Sequence, residues 1–562
     1  MSTEFMIIDN LPVEIAGEKN ILDLIRKAGI ELPTFCYYSE LSVYGACRMC
    51  VVEDNRGEIH AACSTPPQAG MEVRTNTPRL RKYRKMILEL LLSSHCRDCT
   101  TCEKNGRCKL QELAQRFGIK QVRFGNTFGE AELDTSSLCI VRDKSKCILC
   151  GDCVRMCDEV QNIGAIDFAF RGSKMCVSTA FDAPIATTNC VGCGQCAAVC
   201  PTGAIVVRND TVKLWQDISD KDTKVVVQIA PAVRVGIGQE LGLADGENVM
   251  GRIVAALKRI GFDEVFDTST GADLTVLEEA GEFTARLQKE EKLPLFTSCC
   301  PAWVRYAELH YPQLMYKIST CRSPMQMFAS VMKEHYGHSH RKVVVVAIMP
   351  CTAKKYEAAR DEFKKDGVPY VDYVITTQEL IQMIREAGIV FSEIEPEAVD
   401  MPFGAASGAG VIFGVTGGVT EAVIRRIADD KSVSALRAIA FTGVRGLQGV
   451  KEASIVLDGR EVRIAVVSGL KNADSLIHKI RSGEKKYDFI EVMACPGGCI
   501  CGAGQPVAGR EGRNKRSVGL YEADRMSSIK RSEENPIIMA LYDGLLKGNI
   551  HRLLHVDYVR KA

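Results

Sequence analysis

Lys342-Val-Val-Val-Val-Ala-Ile-Met-Pro-Cys351 sets an unbroken apolar, β-branched run directly before a thiol. Such a run reads as a buried strand. A cysteine just past a strand's C-terminal end sits where open α/β sheets build their ligand sites. Two further stretches repeat the arrangement. Phe489-Ile-Glu-Val leads into Met493-Ala-Cys495-Pro-Gly-Gly-Cys499, and the shorter Leu293-Pro-Leu-Phe leads into Thr297-Ser-Cys-Cys300-Pro301. Three strands delivering Cys300, Cys351, Cys495 and Cys499 to one crevice make a cysteine-lined metal pocket. The rest of the chain reads as wiring toward it.

At 562 residues the chain is expected to hold several domains, because single cores rarely grow beyond about 250–300 residues. A hydrophobic share of 46%, a charged share of 25% and a formal charge of +1 describe a soluble globular protein without a nucleic-acid or membrane-surface signature. No secretion signal is read at the start, so a cytoplasmic location is expected. The long uncharged stretch Met401–Thr420 carries six glycines. It has too little bulk for a membrane span and reads as close-packed backbone near a cofactor.

Twenty-five cysteines in a long chain favour metal ligation over disulfides, and they come in tight sets. In residues 1–78, strands at Phe5-Met-Ile-Ile and Val13-Glu-Ile and a helix from Asn20 to Gly29 precede Cys36, Cys47, Cys50 and Cys63. One thiol, a close pair and another thiol is the layout of a 2Fe–2S site in a β-grasp ferredoxin; a zinc site is the competing reading. Residues 79–138, a small helical module with a linker, carry His95, Cys99, Cys102 and Cys108. That set suits a 4Fe–4S cluster with one imidazole ligand, and Cys96 competes with His95 for the fourth place.

In residues 139–209, Cys147-x2-Cys150-x2-Cys153-x3-Cys157 recurs 43 residues later as Cys190-x2-Cys193-x2-Cys196-x3-Cys200, followed by Pro201. This is the two-cluster bacterial ferredoxin pattern, in which the fourth cysteine of each run ligates the other cluster. One cluster therefore takes Cys147, Cys150, Cys153 and Cys200, the other Cys190, Cys193, Cys196 and Cys157. Residues 210–562 turn to α/β alternation, with strands at 225–229, 343–348, 374–375, 463–467 and 489–493 and helices at 378–387 and 421–428. Gly236-Ile-Gly238-Gln-Glu-Leu-Gly242 has its last glycine one residue late for a dinucleotide fingerprint, so no nicotinamide or flavin site is read here.

The stretches Thr297-Ser-Cys-Cys-Pro, Met349-Pro-Cys-Thr-Ala-Lys-Lys-Tyr-Glu and Glu491-Val-Met-Ala-Cys-Pro-Gly-Gly-Cys resemble the three signatures of iron–iron (FeFe) hydrogenases. The upstream modules resemble the long, multi-cluster clostridial form. The resemblance implies a two-lobed α/β catalytic domain holding an H-cluster. In it a 4Fe–4S cubane on Cys300, Cys351, Cys495 and Cys499 is bridged through Cys499 to a di-iron subsite with carbon monoxide, cyanide and azadithiolate ligands. Lys354 would hydrogen-bond a cyanide, and Met349, Met493, Phe413, Pro231 and Ala232 would enclose the subsite. Three accessory 4Fe–4S clusters and one 2Fe–2S cluster would carry electrons. The implied reaction is the reversible interconversion of two protons and two electrons with H2.

A proton relay is implied along Cys299, Glu279, Ser319, Glu282 and Arg286. Glu279, Glu282 and Arg286 fall on one helix face, a pattern that without context is a solvated charged stripe. Met325, Ala232, Cys501 and Ala503 depart from the family pattern, and Cys299, Cys321 or Cys501 is a candidate cap for an open iron or a partner in a reversible disulfide. The implied partners are maturation proteins and either ferredoxin or flavin- and NAD-binding subunits. The alternatives are a hydrogen sensor, for which the tail after about 530 leaves no signalling domain, and an electron-transfer or iron–sulfur assembly protein of the same fold without the di-iron unit.

Overall fold

The computed structural model describes residues 4–125, 133–428, 443–457 and 459–558. It divides into two compact units, Met1–Thr188 with Cys196–Val206, and Asn189–Gln195 with Val207–Ala562. Residues 126–132, within the linker read from the sequence, lie outside the described residues.

The first unit opens with a five-stranded sheet in the order Leu11–Glu14, Phe5–Ile8, Glu72–Arg74, Val51–Asp54, Ile59–Ala61. Phe5–Ile8 runs antiparallel to its hairpin partner and parallel to Glu72–Arg74. The helix Ile21–Lys27 starts at Asn20, whose side chain accepts from the Asp23 N–H, satisfying one of the orphan donors of the first turn. Its Ile21, Leu22, Leu24 and Ile25 pack with Met6, Ile8 and Val52. This is the β-grasp expected for the first module. Thr77 caps the following helix, Pro78–Ser93, and Lys109–Arg116 follows. Further on, Ile140–Asp143 lies between Ile205–Val207 and Leu133–Asp134.

The second unit is built on two four-stranded sheets. The first has the order Glu264–Asp267, Thr223–Ile229, Lys342–Met349, Tyr373–Thr376, all parallel. Its central strand Lys342–Met349 is buried from Val344 onward, as a parallel strand covered on both faces must be. In the second sheet, Leu295–Phe296, Phe489–Met493 and Arg460–Ser468 are parallel, and Val450–Leu457 closes the edge in antiparallel pairing.

Helix Ser269–Lys289 buries Ala272, Val276, Ala280 and Phe283, and with them Glu279 and Arg286. The charged stripe seen in the sequence therefore turns inward. The glycine-rich stretch Met401–Thr420 is packed backbone, as expected: a Cβ on Gly418 would lie 1.8 Å from the Ile412 carbonyl oxygen, and one on Gly410 2.5 Å from that of Ser269. Among the described residues no helix is long and apolar enough to cross a membrane.

Candidate metal centre

Three of the four cysteines read from the sequence as H-cluster ligands lie just past a strand end. Cys300 follows Leu295–Phe296 and precedes the helix Pro301–His310, Cys351 follows Lys342–Met349, and Cys495 follows Phe489–Met493. They meet with Cys499 around one cavity with about 760 Å³ of empty space, also lined by Pro231, Ala232, Cys299, Met325, Met349, Lys354, Phe413 and Met493. The sheets thus bring together every residue assigned from the sequence to the H-cluster pocket. Glycine lets the backbone close in: a Cβ on Gly502 would sit 2.1 Å from the Pro350 carbonyl oxygen, and one on Gly498 2.5 Å from the Thr416 nitrogen. Burial raises the Cys351 thiol to about 11 and holds Cys300, Cys495 and Cys499 above their ordinary value. Loading a cationic centre there means expelling those protons.

Lys354 is the cation of the cavity. Its Nζ donates to the Cys299 carbonyl at 3.1 Å and to Glu357 Oε2 at 2.8 Å. An ammonium has three donors, so one is left for an anionic ligand. Glu357, which also accepts from Ser323 Oγ at 3.1 Å, was not singled out in the sequence. Its i+3 spacing from Lys354 on the helix Ala353–Ala359 was the available signal. Glu491 was likewise missed. Fully buried, it accepts from Gly417 N at 2.6 Å, Thr420 N at 2.8 Å and Thr420 Oγ1 at 2.9 Å, and it fastens the glycine-rich wall to the strand that delivers Cys495. Lys451 is the nearby counter-charge and donates to the Thr416 and Gly446 carbonyls at 2.9 Å each.

Behind Cys299 lies Glu279. It is fully buried, and neither carboxylate oxygen has a hydrogen-bond partner among the described residues. Burial first, and the neighbouring Glu282 second, raise it from 4.5 to about 8. Ser319 Oγ donates to Glu282 Oε2 at 2.9 Å. Arg286 pairs with Glu282 and donates to the carbonyls of Lys317 at 2.9 Å and Ile318 at 3.0 Å. The five relay residues are neighbours in space. Of the three candidate capping thiols Cys299, Cys321 and Cys501, only Cys299 lines the cavity. Cys321 lies within 3.9 Å of Glu282 Oε2, and Cys501 stands beside Gly497.

The first unit repeats the logic with smaller sites. Cys36 and Cys47 share a hydrogen bond, as do Cys50 and Cys63; within these pairs Cys47 falls to about 6 and Cys50 is lowered, while Cys36 and Cys63 rise. His95, Cys99, Cys102 and Cys108 line one cavity together with Cys96, and the buried His95 Nδ1 has no hydrogen-bond partner among the described residues. Cys147, Cys150, Cys153 and Cys200 line another cavity, the cross-run set that the ferredoxin pattern predicts. Cys157 and Cys196 belong to the first unit, Cys190 and Cys193 to the second.

Comparison with known proteins agrees with this geometry. Residues 223–503 match the family model described as the iron only hydrogenase large subunit, C-terminal domain. Residues 510–561 match the iron hydrogenase small subunit. Residues 5–78 match a 2Fe-2S iron-sulfur cluster binding domain, 84–123 the NADH-ubiquinone oxidoreductase-G iron-sulfur binding region, and 146–204 a 4Fe-4S dicluster domain. The NADP-reducing hydrogenase subunit HndD of Solidesulfovibrio fructosivorans is 42% identical over 100% of both chains. Iron hydrogenase 1 of Clostridium pasteurianum is 34% identical over 98% of this chain and 99% of its own. Among solved structures, a variant of the apo FeFe hydrogenase HydA1 from Chlamydomonas reinhardtii superposes with a TM-score of 0.54 at 37% identity, covering 62% of this chain and 99% of that one.

Proposed function

Since this chain belongs to the iron-only hydrogenase family and is an FeFe hydrogenase with iron–sulfur relay domains, we propose that the cavity lined by Cys300, Cys351, Cys495 and Cys499 is its H-cluster chamber. The observation that carries this is the convergence of four thiols and one buried ammonium on a single, largely apolar cavity. The donors fit the group: four soft thiolates suit iron–sulfur ligation, the glycines admit a bulky inorganic body, and Lys354 offers a charge-assisted donor of the strong kind. When bound, that group supplies the reversible chemistry of H2 with two protons and two electrons.

The chain's own residues exclude water and handle the proton. Met349, Met493, Phe413, Pro231 and Ala232 keep the chamber dry, which strengthens the electrostatics inside it. Cys299 is the proton acceptor facing the chamber. Glu279, raised to about 8, changes protonation near neutral pH, as efficient acid–base transfer requires. Ser319 and Glu282 continue the path, and Arg286 holds Glu282 in place.

Electrons enter through the accessory sites. We assign a 2Fe–2S cluster to Cys36, Cys47, Cys50 and Cys63, and 4Fe–4S clusters to His95 with Cys99, Cys102 and Cys108, to Cys147, Cys150, Cys153 and Cys200, and to Cys190, Cys193, Cys196 and Cys157. The unpartnered Nδ1 of His95 favours it over Cys96 as the fourth ligand. Likeness to an NADP-reducing hydrogenase subunit, together with the lack of a dinucleotide fingerprint here, supports a partner subunit that binds the nicotinamide nucleotide; soluble ferredoxin is the other candidate. Twenty-five cysteines, most of them grouped as cluster ligands, suit the reducing cytoplasm. The test is an anaerobic infrared spectrum of protein produced together with hydrogenase maturation proteins. Metal-bound carbon monoxide and cyanide bands that Cys499→Ala abolishes are expected. Clusters without those bands would return the protein to electron transfer or assembly.

A further inference from the structure

An arginine stays protonated in proteins, so Arg286 cannot pass on the proton that Glu282 carries. Its guanidinium is spent on Glu282 and on three main-chain carbonyls. A second set of contacts leaves Glu282 in another direction. Thr320 donates to Glu282 Oε2 through its N–H at 3.0 Å, and its Oγ1 lies 3.2 Å from the same oxygen. That Oγ1 is 2.9 Å from His555 Nδ1, and His555 Nε2 is 2.9 Å from Glu278 Oε2. Tyr542 OH closes the series on Glu278 Oε1. The His555 side chain is 13% exposed and that of Glu278 16%, so the series ends at solvent.

The backbone fixes this alignment. Val556 N donates to the Thr320 carbonyl at 2.7 Å, and Arg322 N donates to the Leu554 carbonyl at 2.8 Å. Arg322 Nε donates to the His555 carbonyl at 2.9 Å. The His555 backbone is thereby held beside Thr320.

We infer that His555, working through Thr320 and oriented by Glu278, is the proton-exchange group at the outer end of the Glu282 relay. This rests on the relay reading given above. In the inward direction the imidazolium passes its Nδ1 proton to Thr320 Oγ1 while the Thr320 hydroxyl proton moves to Glu282 Oε2. His555 ends neutral with its Nε2–H on Glu278, and Glu282 ends as the acid. The cycle closes when the ring turns so that Nδ1 takes a solvent proton and the Thr320 hydroxyl swings back toward Glu282; the outward direction is the reverse. The charged and titratable groups facing His555 are Glu278, Tyr542 and Glu282 from the hydrogen-bonded side, His551, whose ring centroid is 5.1 Å away, and Arg322, Arg552 and Cys321 along the backbone.

The test uses the full-length matured enzyme in a dye-linked H2 assay over a pH series. His555→Ala and Thr320→Val are each expected to lower turnover at least tenfold, with imidazole in the buffer restoring His555→Ala but not Thr320→Val. Rescue by free imidazole is a response that a packing role does not give. A second readout needs no turnover: pH-difference infrared spectra are expected to show the Glu282 carboxyl band shifting in His555→Ala. Wild-type rates in both variants, or a loss in His555→Ala that imidazole leaves unchanged, overturn the inference. Glu279→Gln separates the two levels. If it is inactive while both outer variants run at wild-type rates, the relay stands and this entry point falls; if it runs at the wild-type rate, the relay itself falls.

Discussion

Glu279→Gln keeps shape and removes the proton-carrying function of a carboxyl that burial holds above its ordinary range. The wild-type carboxyl is fully buried without hydrogen-bond partners among the described residues and is raised from 4.5 to about 8. That displacement corresponds to about 5 kcal/mol between the two protonation states. Below pH 4.5 both the folded and the unfolded chain hold the proton, and folding loses nothing. As pH rises the unfolded chain releases it first, so stability declines across the interval up to about pH 8 and is then level. Glutamine carries no such charge, so the variant should lack this slope and gain on the wild type as pH rises.

Two measurements check the reasoning. pH-difference infrared spectra of the wild type should show a carboxylic C=O band that titrates near pH 8 and is missing in Glu279→Gln. H2 turnover of the variant should fall by about a hundredfold to ten-thousandfold, the usual contribution of positioned acid–base transfer. A band titrating in the ordinary carboxylate range, or turnover that survives the substitution, would refute the assignment.

Two further outcomes are expected. Glu491→Ala leaves the Gly417 and Thr420 N–H groups without their buried acceptor, at about 1–3 kcal/mol for each unsatisfied group; thermal unfolding should come earlier, and loading of the chamber, read by the carbon monoxide and cyanide bands, should fall. His95→Ala should remove one cluster's worth of iron and one reduced-cluster signal in electron paramagnetic resonance, while Cys96→Ala should leave both intact. The reverse pattern would move the fourth ligand to Cys96.

Thiols and their strands were the most legible part of the chain, because ligand spacing and β-branched runs are local signals. The strand Lys342–Met349 and the cross-run set of Cys147, Cys150, Cys153 and Cys200 were both readable from residues alone. The strand Val450–Leu457 was not: it alternates exposed with buried or half-buried residues along a sheet edge, and its Lys, Glu and Ser hide the apolar period. Glu279, Glu282 and Arg286 showed the opposite difficulty. Their spacing is that of a solvated stripe, and only the packing of Ser269–Lys289 against the rest of the unit turns it inward. Glu491 and His555 were beyond local reading, since their partners lie some 70 and 235 positions away.

The chamber's lining runs from Ala230 to Gly502 and lies within one of the two units. None of its walls comes from the first unit. The modules before residue 189 can therefore differ between relatives without any of them supplying a wall of the reaction chamber. The 62% of this chain that superposes on 99% of a smaller hydrogenase is what such interchangeable input would leave behind.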